Sequence, residues 1–312
     1  MIDYPAAAAV AAVIREGSFE RAAAALAITP SAVSQRVRGL EERLGAILVV
    51  RGQPCRATEL GRALVGHLDR VRLMEADLAP ALGARAAGEA PPTLRVAVNA
   101  DSLATWFPAA AAAFGRAAAA TLDLTLDDEG HTAERLRGGE VVAAVTADAG
   151  PVPGCRTLPL GTLRYAACAA PDFAARHFPA GATAEAMASA PQLRFDRRDD
   201  LQARWAAAAV GVAPTGPVHW VPSTHAFLDL ALAGLAWGMQ PAALAAPHLA
   251  AGRLVDIAPG RSLDVDLHWT VARLPAASLR ALTAAVTTAA RRALMPPGGG
   301  GADAVAGRRE RP

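Results

Sequence analysis

The chain contains no lysine: all 31 of its basic residues are arginine. That uniformity runs through all 312 residues and reads as compositional bias rather than local chemistry. Cysteine is nearly absent too. Cys55, Cys155 and Cys168 are odd in number and widely spaced, with no CxxC and no Cys/His ligand spacing. Neither a disulfide framework nor a zinc site is expected, and a reduced cytoplasm suits the pattern. A strong charge of one sign is missing as well. The net charge of +2 is too small to announce a nucleic-acid binder by itself. No run of about 18 apolar residues free of charge and proline suggests a membrane span. The opening MIDYP lacks the basic residue that begins a signal peptide, and Arg15-Glu16 closes the first apolar run. Catalytic signatures are lacking: no GxSxG, HExxH, P-loop or GxGxxG. The histidines at 131, 177, 219, 225, 248 and 268 are scattered, and lone histidines are more often surface or core than catalytic. An enzyme built on an α/β portion therefore has little support, and no catalytic residue, metal or cofactor is expected.

What is present suits two or three domains with ample core. Alanine runs such as Ala6–Ala9 and Ala110–Ala113 fill helix positions with the best intrinsic helix former. Residues 1–58 read as a compact helical unit. Pro5 opens a helix through Val13 that Gly17 ends. Ser18 is placed to cap a second helix, Phe19 to Leu26. Thr29-Pro30 begins a third, which runs to Leu44 and stops at Gly45. Residues 47–50 and 56–58, around a turn at Gly52-Gln53-Pro54, predict a two-stranded wing.

Thr58 caps a further helix with informative spacing. Leu60, Leu64, His67, Val71, Met74, Leu78 and Ala81 follow steps of 4, 3, 4, 3, 4 and 3. That is a heptad seam, the pattern of a helix packed lengthwise on a partner. An amphipathic helix packed on its own domain is the alternative. A linker or dimerisation segment over 59–92 follows, with GARAAGEAPP (83–92) as its hinge.

Beyond the hinge, strand and helix patterns alternate, which argues for α/β layers with parallel strands. Strands are expected at 94–98, 122–126, 141–146, 163–169, 192–195, 218–221, 235–239 and 267–271. Helices are expected near 102–116, 132–137, 205–210, 226–232 and 278–294. This domain, 93–295, divides into a first lobe of about 93–162 with 269–295 and a second of about 163–268. The Gly/Pro-rich, charged end, 296–312, is expected to be disordered.

The strongest local signal is SFERAAAALAITPSAVSQRVRGLEERLGAILVVRG, Ser18 to Gly52. Two short helices meet at a tight turn, and the second carries Ser31, Ser34, Gln35 and Arg38 near one side. Ala32, Val33, Val37 and Leu40 supply the packing side. Arginine reads guanine best and glutamine adenine in the major groove. Arg36, Arg43, Arg51 and Arg56 are better placed for phosphates, which set affinity and register. Between residues 36 and 62, six arginines face Glu41, Glu42 and Glu59, a modest local excess of positive charge. On residue types alone, a small helical domain with a solvated polar face is an equal alternative.

The segment SFERAAAALAITPSAVSQRVRGLEERLG, then RG, then RATELG, resembles the N-terminal module of LysR-type transcriptional regulators. The order of parts matches up to about Met295. The resemblance implies a winged helix-turn-helix, a linker helix that pairs between subunits, and a two-lobed effector domain like a type 2 periplasmic binding protein. It also implies a homodimer or tetramer on an operator, acting with RNA polymerase in the cytoplasm. The pieces IREG, RGQPCRAT, VNADSLATW, ERLRGGEVVAAVT and FDRRDD are similar to the ArgP/LysG subfamily. Its members sense lysine or arginine and switch on an exporter of basic amino acids.

In such a domain the ligand sits at strand C-termini and helix N-termini, where backbone N–H groups and the helix dipole favour a carboxylate. Asn99, Asp101 and Ser102 occupy one strand-to-helix junction. Ser102 suits an α-carboxylate and Asp101 an ammonium. Asp127, Asp128 and Glu129 cluster at the next strand end, where three acids gain from a bound cation. Thr146 ends the third strand, and Asp196, Ser223, Thr224 and Phe227 lie at equivalent junctions further on. Each has a plainer alternative as a helix cap or a solvated loop.

Overall fold

The computed structural model describes residues 2–78, 91–126 and 132–296. Its first three helices begin and end where the punctuation residues place them. Helix α1, Tyr4–Glu16, takes Pro5 in its first turn and stops at Gly17, which adopts φ 68°. The N-cap is Asp3, whose carboxylate accepts from the Ala6 N–H at 3.0 Å. Helix α2, Phe19–Ala25, is capped by Ser18, and α3, Pro30–Leu44, by Thr29. Gly45 closes α3 at φ 63°, the left-handed region a glycine enters without Cβ strain.

The wing is shorter than expected: β1, Val49–Val50, pairs antiparallel with β2, Arg56–Ala57. Backbone groups at its start and end are engaged by neighbouring side chains. The Leu48 and Val49 N–H groups donate to Glu41 Oε1 at 2.8 and 3.2 Å. Thr58 Oγ1 donates to the Ile47 carbonyl at 2.8 Å and accepts from Gly61 N–H, capping α4, Glu59–Leu78.

Helix α4 has two apolar faces rather than one. Leu64, Val65, Leu68 and Leu73 are buried. Leu64, 8% exposed, joins Val10, Val13, Val37, Leu40 and Leu48 in the N-terminal core. This corrects its placement in an intermolecular seam: a side chain already packed in the core that α1 closes is not available to a partner. Leu60, Met74 and Leu78 point outward at 46, 40 and 54% exposure. Val71 is half-buried, and His67 stacks on Tyr4. Ala81 lies outside the described residues. Gly66 is fixed by close approach, since a Cβ there would stand 2.6 Å from the Gly139 carbonyl oxygen. Arg62–Glu140 at 2.9 Å and Arg95–Asp69 at 3.4 Å lie beside this contact. Asp69 also takes the guanidinium of Arg15.

The described residues beyond α4 form β3 (Thr93–Val98), α5 (Ala100–Ala104), α6 (Phe107–Ala117), β4 (Thr121–Leu126), α7 (Thr132–Arg137) and β5 (Ala143–Thr146). Then come β6 (Cys155–Ala169), α8 (Pro171–His177), α9 (Ala184–Ser189), β7 (Gln192–Arg194), α10 (Leu201–Val210), β8 (Val218–Trp220) and α11 (Thr224–Leu232). The last are β9 (Gly238–Pro241), α12 (Ala242–Ala250), β10 (Val255–Asp256), β11 (Leu263–Ala272) and α13 (Ala277–Ala293).

Two compact units result. The first holds the described residues of Met1–Asn99, Ala110–Leu158 and Trp269–Val286; the second holds those of Ala100–Ala109, Pro159–His268 and Thr287–Pro312. In the first, β3 runs parallel to both β4 and β5. In the second, β9 and β10 both pair antiparallel with β6, while β7 and β8 are parallel. The expectation of parallel strands throughout is therefore corrected to a mixed arrangement. Residues 100–109 were expected with the first lobe and group with the second unit. The reason is local: Asp101 is held by hydroxyls of that unit.

Candidate functional site

Helix α3 separates its faces as its residue types require. Val33, Val37 and Leu40 are buried against α1 and α2, whereas Ser31, Gln35, Arg36 and Arg38 are exposed. Ser34 is half-buried between them. Ser31 shares a hydrogen bond with Thr29 Oγ1 at 3.0 Å at the helix start. Positions 31, 35 and 38 fall within one helical stripe, so one groove edge can meet all three. Two of the expected phosphate-contacting arginines have neighbours within the chain. Arg43 pairs with Asp3 at 3.0 Å, an exposed ion pair. The Ala6 N–H and the Arg43 guanidinium together hold the Asp3 carboxyl below its ordinary range. Arg51 lies over the Phe19 ring, 5.0 Å from its centroid, which fixes the guanidinium at the edge of the wing. Arg56 is exposed on β2.

The second cluster lies in the second unit and centres on Asp101. Its carboxylate accepts from Tyr165 Oη at 2.7 Å and from Thr224 Oγ1 at 2.8 Å, one hydroxyl on each oxygen. Burial pushes the Asp101 carboxyl upward, and the two hydroxyls pull it partly back. The group is a buried acid oriented by two hydroxyls. Thr224 stands at the N-terminus of α11, where Ser223 caps the helix by accepting from the Ala226 N–H. Phe227, one turn on, is buried. The Tyr165 hydroxyl has no counterpart in the sequence reading. Its only signal there is rarity, one of two tyrosines in the chain.

The remaining expected effector residues are placed differently. Ser102 is fully buried, and its oxygen accepts from Trp106 Nε1 at 3.0 Å. The indole uses the Ser102 oxygen as an acceptor, and that contact leaves the O–H of Ser102 uncommitted. Asp196 is exposed and serves its own loop, accepting from the Arg198 and Asp199 N–H groups at 2.7 and 3.0 Å. The more buried acid of that loop is Asp199. It accepts from the Phe195 and Leu201 N–H groups, and burial raises its carboxyl. In the first unit, Asn99 follows β3 and Thr146 ends the neighbouring parallel β5, where Val98 pairs with Val145. Asn99 Oδ1 is buried without a hydrogen-bond partner, while Thr146 Oγ1 accepts from the Asp148 N–H. Asp127, Asp128 and Glu129 lie outside the described residues. Among the described residues no cluster of three metal-ligating side chains occurs, and no helix is long and apolar enough to cross a membrane.

Comparison with known proteins identifies both parts of the chain. Residues 6–62 match the bacterial regulatory helix-turn-helix family of LysR type, and residues 87–294 match the LysR substrate binding domain. The ArgP regulator of Pseudomonas aeruginosa strain UCBPP-PA14 is 44% identical over 283 residues, 91% of this chain and 94% of that protein. The LysG regulator of Mycobacterium bovis is 43% identical over 285 residues, 91% of this chain and 92% of that protein. The crystal structure of ArgP from Mycobacterium tuberculosis superposes with a TM-score of 0.81 at 42% identity, over 95% of this chain and all of that one. Full-length LysG from Corynebacterium glutamicum with bound effector Arg gives 0.70 at 39% identity, again over 95% and all of the respective chains. Helix-turn-helix, wing and α/β effector domain thus follow one another in the order that these regulators share, and the chain belongs to the LysR family of DNA-binding transcription regulators, in its ArgP/LysG branch.

Proposed function

We propose that this regulator responds to a basic amino acid, arginine or lysine, and in that state activates a gene for its export. The observation that carries the reading is the buried Asp101 carboxylate, oriented by Tyr165 and Thr224. A desolvated acid with no cationic partner among the described residues gains from a ligand that brings one. The bound effector Arg in LysG of Corynebacterium glutamicum supports the same class of ligand. Ser223 and Phe227 of the same unit as Asp101 contribute polar and apolar surface. The regulator acts as a homodimer or homotetramer on its operator, in contact with RNA polymerase, in the cytoplasm where its DNA lies.

The deciding experiment is calorimetry of the full chain with L-arginine, L-lysine and norleucine, with effector-dependent footprinting on the neighbouring promoter. Arginine or lysine is expected to bind and to change the footprint. Norleucine, which keeps the carbon chain and drops the distal cation, is expected to bind poorly, because it leaves a carboxylate desolvated and unpaired. Equal affinity for norleucine and lysine would sink the reading.

Operator recognition is assigned to α3. Gln35→Ala is expected to lose about 1–3 kcal/mol of discrimination between the operator and a site altered at one base pair. Arg51→Ala should instead weaken binding to all sequences alike and lower the salt slope by about one phosphate contact. Anisotropy titrations at several salt concentrations separate the two. An unchanged operator preference in Gln35→Ala would remove α3 from the role of reader.

A further inference from the structure

Three glutamines of the second unit are fully buried: Gln192, Gln202 and Gln240. Gln192 Nε2 donates to the Gly216 carbonyl at 3.1 Å, and Gln202 Nε2 to the Leu193 carbonyl at 2.7 Å. Gln240 differs from both. Neither its Oε1 nor its Nε2 has a hydrogen-bond partner in the described chain. A buried carboxamide with donor and acceptor both idle is costly, and a purely structural core would favour an apolar residue there.

The place of Gln240 in the sheet says what it faces. Strand β9 runs antiparallel to β6, with Gln240 opposite Ala166. Through the Gln192–Trp237 bridge it runs parallel to β7, and β7 is parallel to β8. The three strands therefore end on a common edge, and the chain leaving β8 enters α11 there. Ligands of α/β sheets bind at that edge. Gln240 shares a strand face with Gly238, two residues before it. A Cβ at Gly238 would meet Phe227 Cε1 of α11 at 2.4 Å, so that face is covered by α11. Going from Gly238 to Gln240 leads toward the edge, as does going from Phe227 back one turn to Thr224. Thr224 is the residue that holds Asp101.

We infer that Gln240 reads the head group of the bound amino acid. Its Oε1 accepts from the α-ammonium and its Nε2 donates to the α-carboxylate, leaving Asp101 for a cationic group. A primary carboxamide offers one acceptor beside two donors, the complement of a zwitterionic head group. Hydrogen bonds to charged groups are the stronger kind, so few other ligands would repay the buried amide as well. This assignment rests on the reading of the second unit as an amino-acid site.

The test uses the full-length chain, Gln240→Met and Gln240→Glu, titrated with L-arginine and with agmatine, which keeps the guanidinium and lacks the carboxylate. Agmatine affinity is read by competition against arginine. Gln240→Met, similar in length and apolar, is expected to bind arginine at least about 10-fold more weakly, while agmatine, which keeps the ammonium and has no carboxylate to lose, is weakened by a clearly smaller factor. Its melting midpoint should match or exceed that of the wild type, and operator binding without effector should persist, which shows that it is folded. Gln240→Glu keeps the size, loses the donor to the carboxylate and should also lose arginine. Wild-type affinity for arginine in Gln240→Met would overturn the inference and leave the basic-amino-acid reading intact. Equal losses for arginine and agmatine would overturn the head-group assignment. A wild-type chain that binds neither arginine nor lysine overturns both.

Discussion

Asp101→Asn is expected to weaken arginine binding by about 10- to 150-fold, the range for losing one hydrogen bond to a charged group worth about 1.5–3 kcal/mol. Two features make this substitution informative. Asparagine is nearly isosteric with aspartate, and both partners of Asp101 are hydroxyls, from Tyr165 and Thr224. A hydroxyl either donates or accepts, so one can turn to accept from the new amide while the other continues to donate. The local hydrogen bonds survive, and only the charge is removed. Because burial already disfavours that charge, the unliganded protein should be as stable as the wild type or more so. Calorimetry with arginine and a thermal melt of the same sample check both halves. Unchanged arginine affinity in a folded Asp101→Asn protein would exclude Asp101 from the ligand.

The pH dependence has a defined sign. The folded-state pKa of Asp101 lies above its unfolded value, chiefly because burial penalises the ionised form. Its contribution to stability is therefore fully present below the unfolded value of 3.8 and is lost as pH rises through the folded pKa. A cationic ligand reverses that balance by favouring the carboxylate. Arginine affinity should thus rise with pH up to the folded pKa of Asp101, which lies above 3.8, and binding below that pKa should release a proton. Titrations in two buffers of different ionisation enthalpy report that proton directly, and wild-type proton release in Asp101→Asn would assign it to another group.

The parts legible in the sequence are those fixed by local chemistry. Pro5 with Gly17, Ser18, Thr29-Pro30 and Gly45 each act on their own backbone, and they bound α1 to α3 as expected. Helix α7 and strand β3 were likewise plain from periodicity. What was missed depends on the other side of a contact. Helices α8, α9 and α12 lie in alanine- and proline-rich stretches without a clear apolar stripe. The single helix expected over 102–116 is two, α5 and α6, parted at Thr105-Trp106, and Pro108 fits only the first turn of the second. At the site, Asp101 and Thr224 could be singled out because they stand where a strand gives way to a helix. Tyr165 and Gln240 could not, since a strand pattern does not reveal what faces a side chain across the sheet. Asp196, expected to offer its charge to a ligand, is engaged by its own loop, and the Ser102 oxygen, expected to meet a carboxylate, accepts from an indole.

Helix α4 shows the same limit and sets up the second large effect. Heptad spacing counts residues; it does not say which of two apolar faces meets a partner and which meets its own chain. Leu64 is in the N-terminal core, while Leu60, Met74 and Leu78 are apolar and exposed. Met74→Glu combined with Leu78→Glu is expected to reduce the protein to a monomer. Fully burying each such side chain contributes about 1.5–3 kcal/mol. A twofold assembly loses that contribution from both copies and must also desolvate the new carboxylates. The secondary structure of the chain should be unchanged, because neither position packs inside it. Operator affinity should fall by about 10²- to 10⁴-fold, since a monomer loses the effective concentration that links two half-sites. Leu64→Glu should behave differently, unfolding the N-terminal helices instead of dissociating an intact chain. Light scattering and circular dichroism on both variants distinguish the two faces. A double variant that keeps the wild-type mass would show that subunits associate elsewhere, and a folded monomer from Leu64→Glu would return that residue to the seam.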